Sequence, residues 1–245
     1  MSIKAKYASQ TLRHFESTTH ESVQILAPVQ YYDDFLGAAT VIPAAGSPES
    51  GTEWVKKIVG AAPPTLAVKA DAVSGVVEAA LTADSQKQNA ELYMDDQRQF
   101  SLLQGLVFEA RFRATVLPTG NAEAVIGLVG DWADGLDAAT YSVFVTLDGS
   151  GEIICEMDDN ATDRSATSGV TLVADEWAIV RIDASDPADV LFYVNGNRVA
   201  SGTTFAYAAT GANAVLQPIA GVYKASGTGV GTLEVDYIRI AQERS

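Results

Sequence analysis

The sequence predicts an all-β fold, a two-sheet antiparallel sandwich preceded by an extended N-terminal arm. Three observations carry this. Residues 106–116 alternate strictly, with Phe108, Ala110, Phe112, Ala114 and Val116 on one side and Glu109, Arg111, Arg113 and Thr115 on the other. That period of two is the mark of a half-buried strand and cannot be helical. Short apolar segments recur along the chain with turn residues between them, and no amphipathic helix interrupts them. Finally, residues 177–183, 190–199 and 233–240 read as three antiparallel strands near the end, the second carrying the turn pair Asn195-Gly196.

Taken in chain order, residues 1–30 are polar and weakly patterned, with Ser17-Thr18-Thr19-His20-Glu21-Ser22 in the middle, and form the arm. Lys4, Lys6 and Arg13 make its start cationic, since no acidic residue precedes Glu16. The sandwich occupies residues 31–245 as one domain. It opens with a strand at 31–36, followed by a loop rich in Ala, Gly, Pro and Ser up to Gly51. Residues 54–59 and 65–68 are short strands around the breaker Pro63-Pro64. After 106–116 come strands at 123–129, 141–147 and 152–157. The last two are joined across Asp148-Gly149-Ser150-Gly151, whose glycines accept the positive φ of a tight hairpin. The first and last strands, near Phe35 and residues 233–240, are expected to lie side by side and so protect an edge.

Composition narrows the function. With 245 residues and 47% hydrophobic content the chain can bury a substantial core. Its formal charge is −15, 31 acidic residues against 16 basic, and such a surface repels nucleic acid and anionic membranes. Neither is expected as a partner. The single cysteine, Cys155, excludes an internal disulfide and lies in the apolar run Ile153-Ile154-Cys155, as a buried thiol would. The N-terminus lacks the apolar core of a secretory signal, so a product made in a host cytoplasm is expected.

The closing segments carry a resemblance. Residues 177–183 followed by Leu191-Phe192-Tyr193-Val194-Asn195-Gly196-Asn197-Arg198-Val199 resemble the tryptophan-led hairpin of laminin G-like modules. Leu233-Glu234-Val235-Asp236-Tyr237-Ile238-Arg239-Ile240 is similar to the last strand of laminarinase-type glycoside hydrolases. Together they imply a concanavalin A-like jelly roll. The hydrolase branch uses a strand motif Glu-x-Asp-x-x-Glu, which supplies two carboxyls about 5 Å apart for retaining chemistry. Two segments nearly match it. The one starting at Glu156 ends in Ala161, and the one starting at Glu234 ends in Arg239. The missing second glutamate leads to the expectation that the chain is not an enzyme and has no catalytic residue.

Other chemistries lack their residues. The only histidines, His14 and His20, lie in the arm, away from any pocket that would build a zinc site or a Ser-His-Asp triad. Acidic loops at Asp131, Asp134 and Asp137, and at Asp158, Asp159 and Asp163, offer oxygen ligands for calcium but follow no EF-hand spacing. No cofactor or metal is expected to be required. Trp132 lies within the first of these loops, where it could stack on a sugar. A jelly roll without a catalytic pair and with a cationic arm resembles tailed-phage capsid decoration or other virion accessory proteins. That implies a virion location, anchorage on the major capsid protein or other virion subunits through Lys4, Lys6 and Arg13, and room for a homo-oligomer. The alternative is a lectin-like carbohydrate-binding module for a surface glycan, free or attached to a virion.

Overall fold

The structure is a computed structural model. It describes residues 29–36, 42–46, 54–135 and 138–244 in full, and the main chain of 3–8 and 11–16. Two strands, β1 (Ile3–Ala8) and β2 (Thr11–Glu16), pair antiparallel with each other, Lys6 opposite Arg13. Among the described residues they join neither large sheet. The segment expected as an extended arm thus contains a hairpin.

Among the described residues all other strands belong to two stacked antiparallel sheets, as the alternation predicted, and there is no α-helix. The front sheet runs β13 (Asp163–Thr171), β12 (Glu152–Asp158), β11 (Ser142–Leu147), β10 (Ala122–Val129), β17 (Val215–Lys224), β7 (Gln88–Tyr93), β4 (Val55–Val59), with β8 (Phe100–Ser101) also on β17. The back sheet runs β16 (Asn197–Val199), β15 (Leu191–Val194), β14 (Ala178–Ala184), β9 (Leu106–Val116), β18 (Thr232–Gln242), β6 (Val77–Ala80), β5 (Thr65–Val68). The first strand of the sandwich, β3 (Val29–Asp33), pairs with the last, β18, Asp33 opposite Ile238. Trp54 ties that corner to the front sheet by donating from Nε1 to Asp33 Oδ2 at 2.8 Å.

One core lies between the sheets. Leu106, Phe108, Ala110, Phe112 and Ala114 of β9 are buried in it, facing Ala124, Ile126 and Leu128 of β10. Val116 breaks the expected pattern: it is exposed, because β9 runs past the end of the core. Cys155 sits between Ile153 and Met157 on the inner face of β12, and burial pushes its thiol up to about 12, so it is inert as a nucleophile. In β18 the register slips between Val235 and Tyr237, a bulge that keeps Leu233 and Val235 inside on one side and Ile238 and Ile240 on the other. The turn at Asn195 (φ 50°) and Gly196 (φ 81°) has both central residues left-handed, as a type I′ hairpin requires.

The front sheet departs from simple alternation. All six residues of β7 and of β11 are buried, because a roof covers the sheet's outer face as well as its inner one. Val55, Tyr93, Val125, Val129, Phe144 and Ile219 form a second apolar cluster there, beneath Ala139, Trp132 and Ala45 from overlying loops.

Candidate functional site

The roofed outer face of the front sheet carries polar groups that the apolar packing does not explain. Cross-strand register sets them in rows. Lys57, Glu91, Gly221 and Val125 lie side by side across β4, β7, β17 and β10, and Asn89, Tyr223 and Glu123 form the next row. Gly221 makes the first row possible. A Cβ at that position would lie 2.3 Å from the carbonyl oxygen of Ala90 and 2.7 Å from Cα of Glu91, so only glycine lets β7 and the Glu91 side chain come this close.

Glu91 is 1% exposed. The indole Nε1–H of Trp132 donates to its Oε2, and the Lys57 ammonium lies 4.3 Å from the centre of the indole ring. Burial pushes the Glu91 carboxyl up to about 7. The Trp132 hydrogen bond and the Lys57 charge oppose that shift, and the charge of Asp134 adds to it. The Trp132 loop is itself pinned. Its backbone N–H donates to Asp96 Oδ1 at 2.6 Å, and Gln217 donates to both Asp96 Oδ1 (2.8 Å) and the Gly130 carbonyl (2.7 Å).

Beside this roof, at the end of the strands where β10 begins, an open groove of about 530 Å³ is lined by Asn121, Glu123, Asp134, Asp148 and Tyr223 among others. Tyr223 is half-buried on its floor. Burial raises its phenol above the ordinary value, the Lys87 charge opposes, and Asp134 and Glu123 add to the rise, so the hydroxyl stays protonated at neutral pH. Lys87 bridges Asp134 at 2.9 Å and also donates to its carbonyl oxygen, which fixes the loop that forms one wall. Asp148 forms part of the opposite wall. It accepts from the Ser150 hydroxyl and backbone, which hold its carboxyl below the usual range and lock the 148–151 turn.

The sequence-derived candidates fall in several places. Trp132 and Asp134 belong to this region. Asp131 is on the same loop but turns to Arg98 at 3.2 Å, and Asp137 lies outside the described residues. Asp158 and Asp163 pair across the β12–β13 turn, in line with Ser142 and Val129. That row is six residues along β10 from Glu123, or about 20 Å, so Asp158 and Asp163 stand apart from the groove at Glu123. Asp159 accepts from the backbone of Ala161, Thr162 and Ala208 at 2.7–2.9 Å. Burial pushes its carboxyl up, but these N–H groups outweigh it and hold it low; its oxygens anchor a turn. Among the described residues no group of three acidic, histidine or cysteine side chains converges as metal ligands would. The side chains of Lys4, Lys6 and Arg13 are not among those described.

The two near-match motifs separate completely. Glu156 is on the outer face of the front sheet and accepts from the Thr146 hydroxyl. Glu234 is on the outer face of the back sheet, bound by Lys69 and, at 2.7 Å, by Arg113. They face away from each other with the core between them, so they cannot work as a pair. Sequence reading missed Glu91, Glu123 and Tyr223 altogether. The available signal was Glu91 within an otherwise strand-like run, Asn89-Ala90-Glu91-Leu92-Tyr93, and a lone charge of that kind carries no motif.

No known family's sequence profile matches the chain, and no curated protein matches it in sequence. Solved structures do match in fold. A prokaryotic beta-1,3-1,4-glucanase (lichenase) derived from a mouse hindgut metagenome aligns over 87% of this chain and 99% of its own, at TM-score 0.60 and 11% identity. The Crh5 transglycosylase covers 89% and 86% at TM-score 0.56 and 16% identity. The carbohydrate recognition domain of Emp47p covers 83% and 95% at TM-score 0.51 and 10% identity. The architecture is therefore that of concanavalin-like jelly rolls. The expectation that the chain is not an enzyme is corrected here. It was drawn from the absence of one strand motif, whereas the same sandwich is the framework of a glucanase and a transglycosylase, so that absence does not exclude catalysis.

Proposed function

We propose that this protein binds a carbohydrate chain in the groove lined by Asn121, Glu123, Asp134, Asp148 and Tyr223. The observation that carries this reading is the groove itself: an open cleft of saccharide size on the outer face of the front sheet, with an aromatic floor and carboxylate walls. A half-buried tyrosine offers a flat apolar surface to a sugar ring and a hydroxyl to its edge. Carboxylates accept from vicinal hydroxyls in charge-assisted hydrogen bonds. The fold likeness to a carbohydrate recognition domain and to glucan-active enzymes supports the ligand class. Tyr223 and Glu123 could also exchange protons with a bound sugar, so cleavage belongs in the test.

The test is a glycan array followed by calorimetric titration of neutral and charged oligosaccharides, with each incubation analysed by mass spectrometry for shortened products. Tyr223→Ala should weaken binding at least tenfold, and Glu123→Gln should weaken it while leaving the fold intact. Absence of binding across the array, or unchanged affinity in both variants, would refute the reading.

A second reading, attachment to a virion through the N-terminal segment, draws support from the β1–β2 hairpin, which among the described residues joins neither sandwich sheet. An isolated two-stranded hairpin is marginal in water, so such a segment suits a docking role. Deleting residues 2–30 and measuring incorporation into the particle tests it; undiminished incorporation would exclude it.

A further inference from the structure

The inner face of β17 reads Leu216, Pro218, Ala220, Val222 and then Lys224, a charged residue in a core-facing position with 0% exposure. Its cross-strand neighbours are Ala122 on β10 and Gln88 on β7, and both are buried too. The ammonium makes three hydrogen bonds, all to main-chain carbonyls: Thr82 and Asp84 at 2.6 Å each and Gly229 at 2.9 Å. Those oxygens belong to two loops remote in sequence. Gln88 braces the first loop further, accepting from the Thr82 N–H at 3.0 Å and donating to the Ala62 carbonyl at 2.6 Å. Burial holds the Lys224 amine below its ordinary value and the charge of Asp84 opposes that, as expected of a cation sealed in a site of neutral oxygens.

A lysine inside a core is costly unless every donor is satisfied, and here three N–H bonds meet three carbonyls. Carbonyl oxygens converging at 2.6–2.9 Å with no carboxylate bonded to the ammonium are the chemistry that takes a dehydrated monovalent cation. A divalent ion would call for carboxylate ligands. We propose that Lys224 is a tethered cation: its ammonium fills a carbonyl cage that, without the side chain, takes potassium or ammonium. By filling the cage the residue positions the rim of the groove, since Tyr223 and Ala225, on either side of it in the chain, and Ala122, across from it on β10, line that groove. This does not depend on what the groove binds.

The test uses the intact protein, Lys224→Ala, which empties the cage, and Lys224→Met, which occupies it with an uncharged chain. Thermal midpoints are measured in potassium, ammonium and choline chloride at equal ionic strength. The native protein should melt at the same temperature in all three. Lys224→Ala should melt lower by roughly 5 °C or more in choline, and should regain at least half of that loss, saturably, in potassium or ammonium. Lys224→Met should stay low in every salt. An equal deficit for Lys224→Ala in all three salts, or a Lys224→Met midpoint equal to the native one, would overturn the proposal. Should neither variant fold, acetylation of the native protein decides. Lys224 should react ~100-fold more slowly than Lys56 until the protein is unfolded, and equal rates would show the cage to be open.

Discussion

The outer faces of the two sheets treat charge in opposite ways. On the back sheet the face is open and its charges are cross-linked. Arg113 and Lys69 both hold Glu234, Arg111 holds Asp236, and Trp177 lies under Arg111 and Arg113 with guanidinium-to-ring distances of 4.3 and 4.6 Å. On the front sheet the face is roofed by the Trp132 loop. Glu91 beneath it is held by hydrogen bonds from the Trp132 indole and the Asn89 side chain rather than by a salt bridge. Both glutamates are shut away from water, yet one carboxyl is raised to about 7 and the other lowered. Burial pushes both carboxyls up, Glu91 the more strongly. Glu234 is also reached by two cationic donors, Lys69 and Arg113, whereas no cation bonds Glu91 among the described residues.

The largest break in this comparison should come from Gly221→Ala, because its Cβ would collide with backbone that cannot move without disturbing β7. We expect a loss of about 3 kcal/mol in chemical denaturation, together with exposure of the Trp132 indole seen as a red shift in fluorescence. Native-like stability would mean that the close approach of β7 to β17 is not needed to seat Glu91.

Next comes the pH dependence of Glu91. Its folded pKa lies above the unfolded value, so the folded state holds the extra proton and stability falls as pH rises from about 4.5 to about 7, then levels. Glu91→Gln should remove that slope and stabilise the protein at pH 8 by roughly 2–3 kcal/mol. A Glu91→Gln protein whose stability follows the native pH curve would contradict the roofed-carboxylate description.

Glu234 should show the reverse sign with a smaller size. Burial raises its carboxyl, and hydrogen bonds from Lys69 and Arg113 outweigh that, so the folded pKa is low. Its contribution is present above the unfolded pKa and is lost as pH falls through the folded one. Glu234→Gln should cost about 1–2 kcal/mol at pH 7 and less at pH 3, discounted because both cationic partners are partly solvated. A loss that is the same at both values would show that packing, and not charge, dominates there. The smallest effect is expected for the solvated pair Arg198–Asp189 at 3.8 Å: Arg198→Ala should change stability by less than about 0.5 kcal/mol.

Much of the back sheet was legible in the sequence, because its strands face water on one side and so alternate in plain sight. Phe108 to Ala114 and the hairpin at Asn195-Gly196 are examples. The front sheet was less so. β7 and β17 contain Gln88, Asn89, Glu91, Gln217 and Lys224, all buried, and a strand buried on both faces with polar residues in it has no readable period. β13, with Ser165, Thr167 and Ser168 and an exposed face, has no apolar stripe to read.

By itself the sequence determined the all-β class, the turn positions and the inward face of β9, since these follow from local sterics and from which side chains avoid water. Only the tertiary structure decided which sheet face would be roofed. It decided too that Glu156 and Glu234 would look away from each other, and that Glu123 and Tyr223, 100 positions apart in the chain, would meet across two strands. It set Lys224 beneath three carbonyls drawn from two distant loops. Such juxtapositions arise from strand order and from loops folding back over a sheet. They are non-local, and no spacing within one segment encodes them.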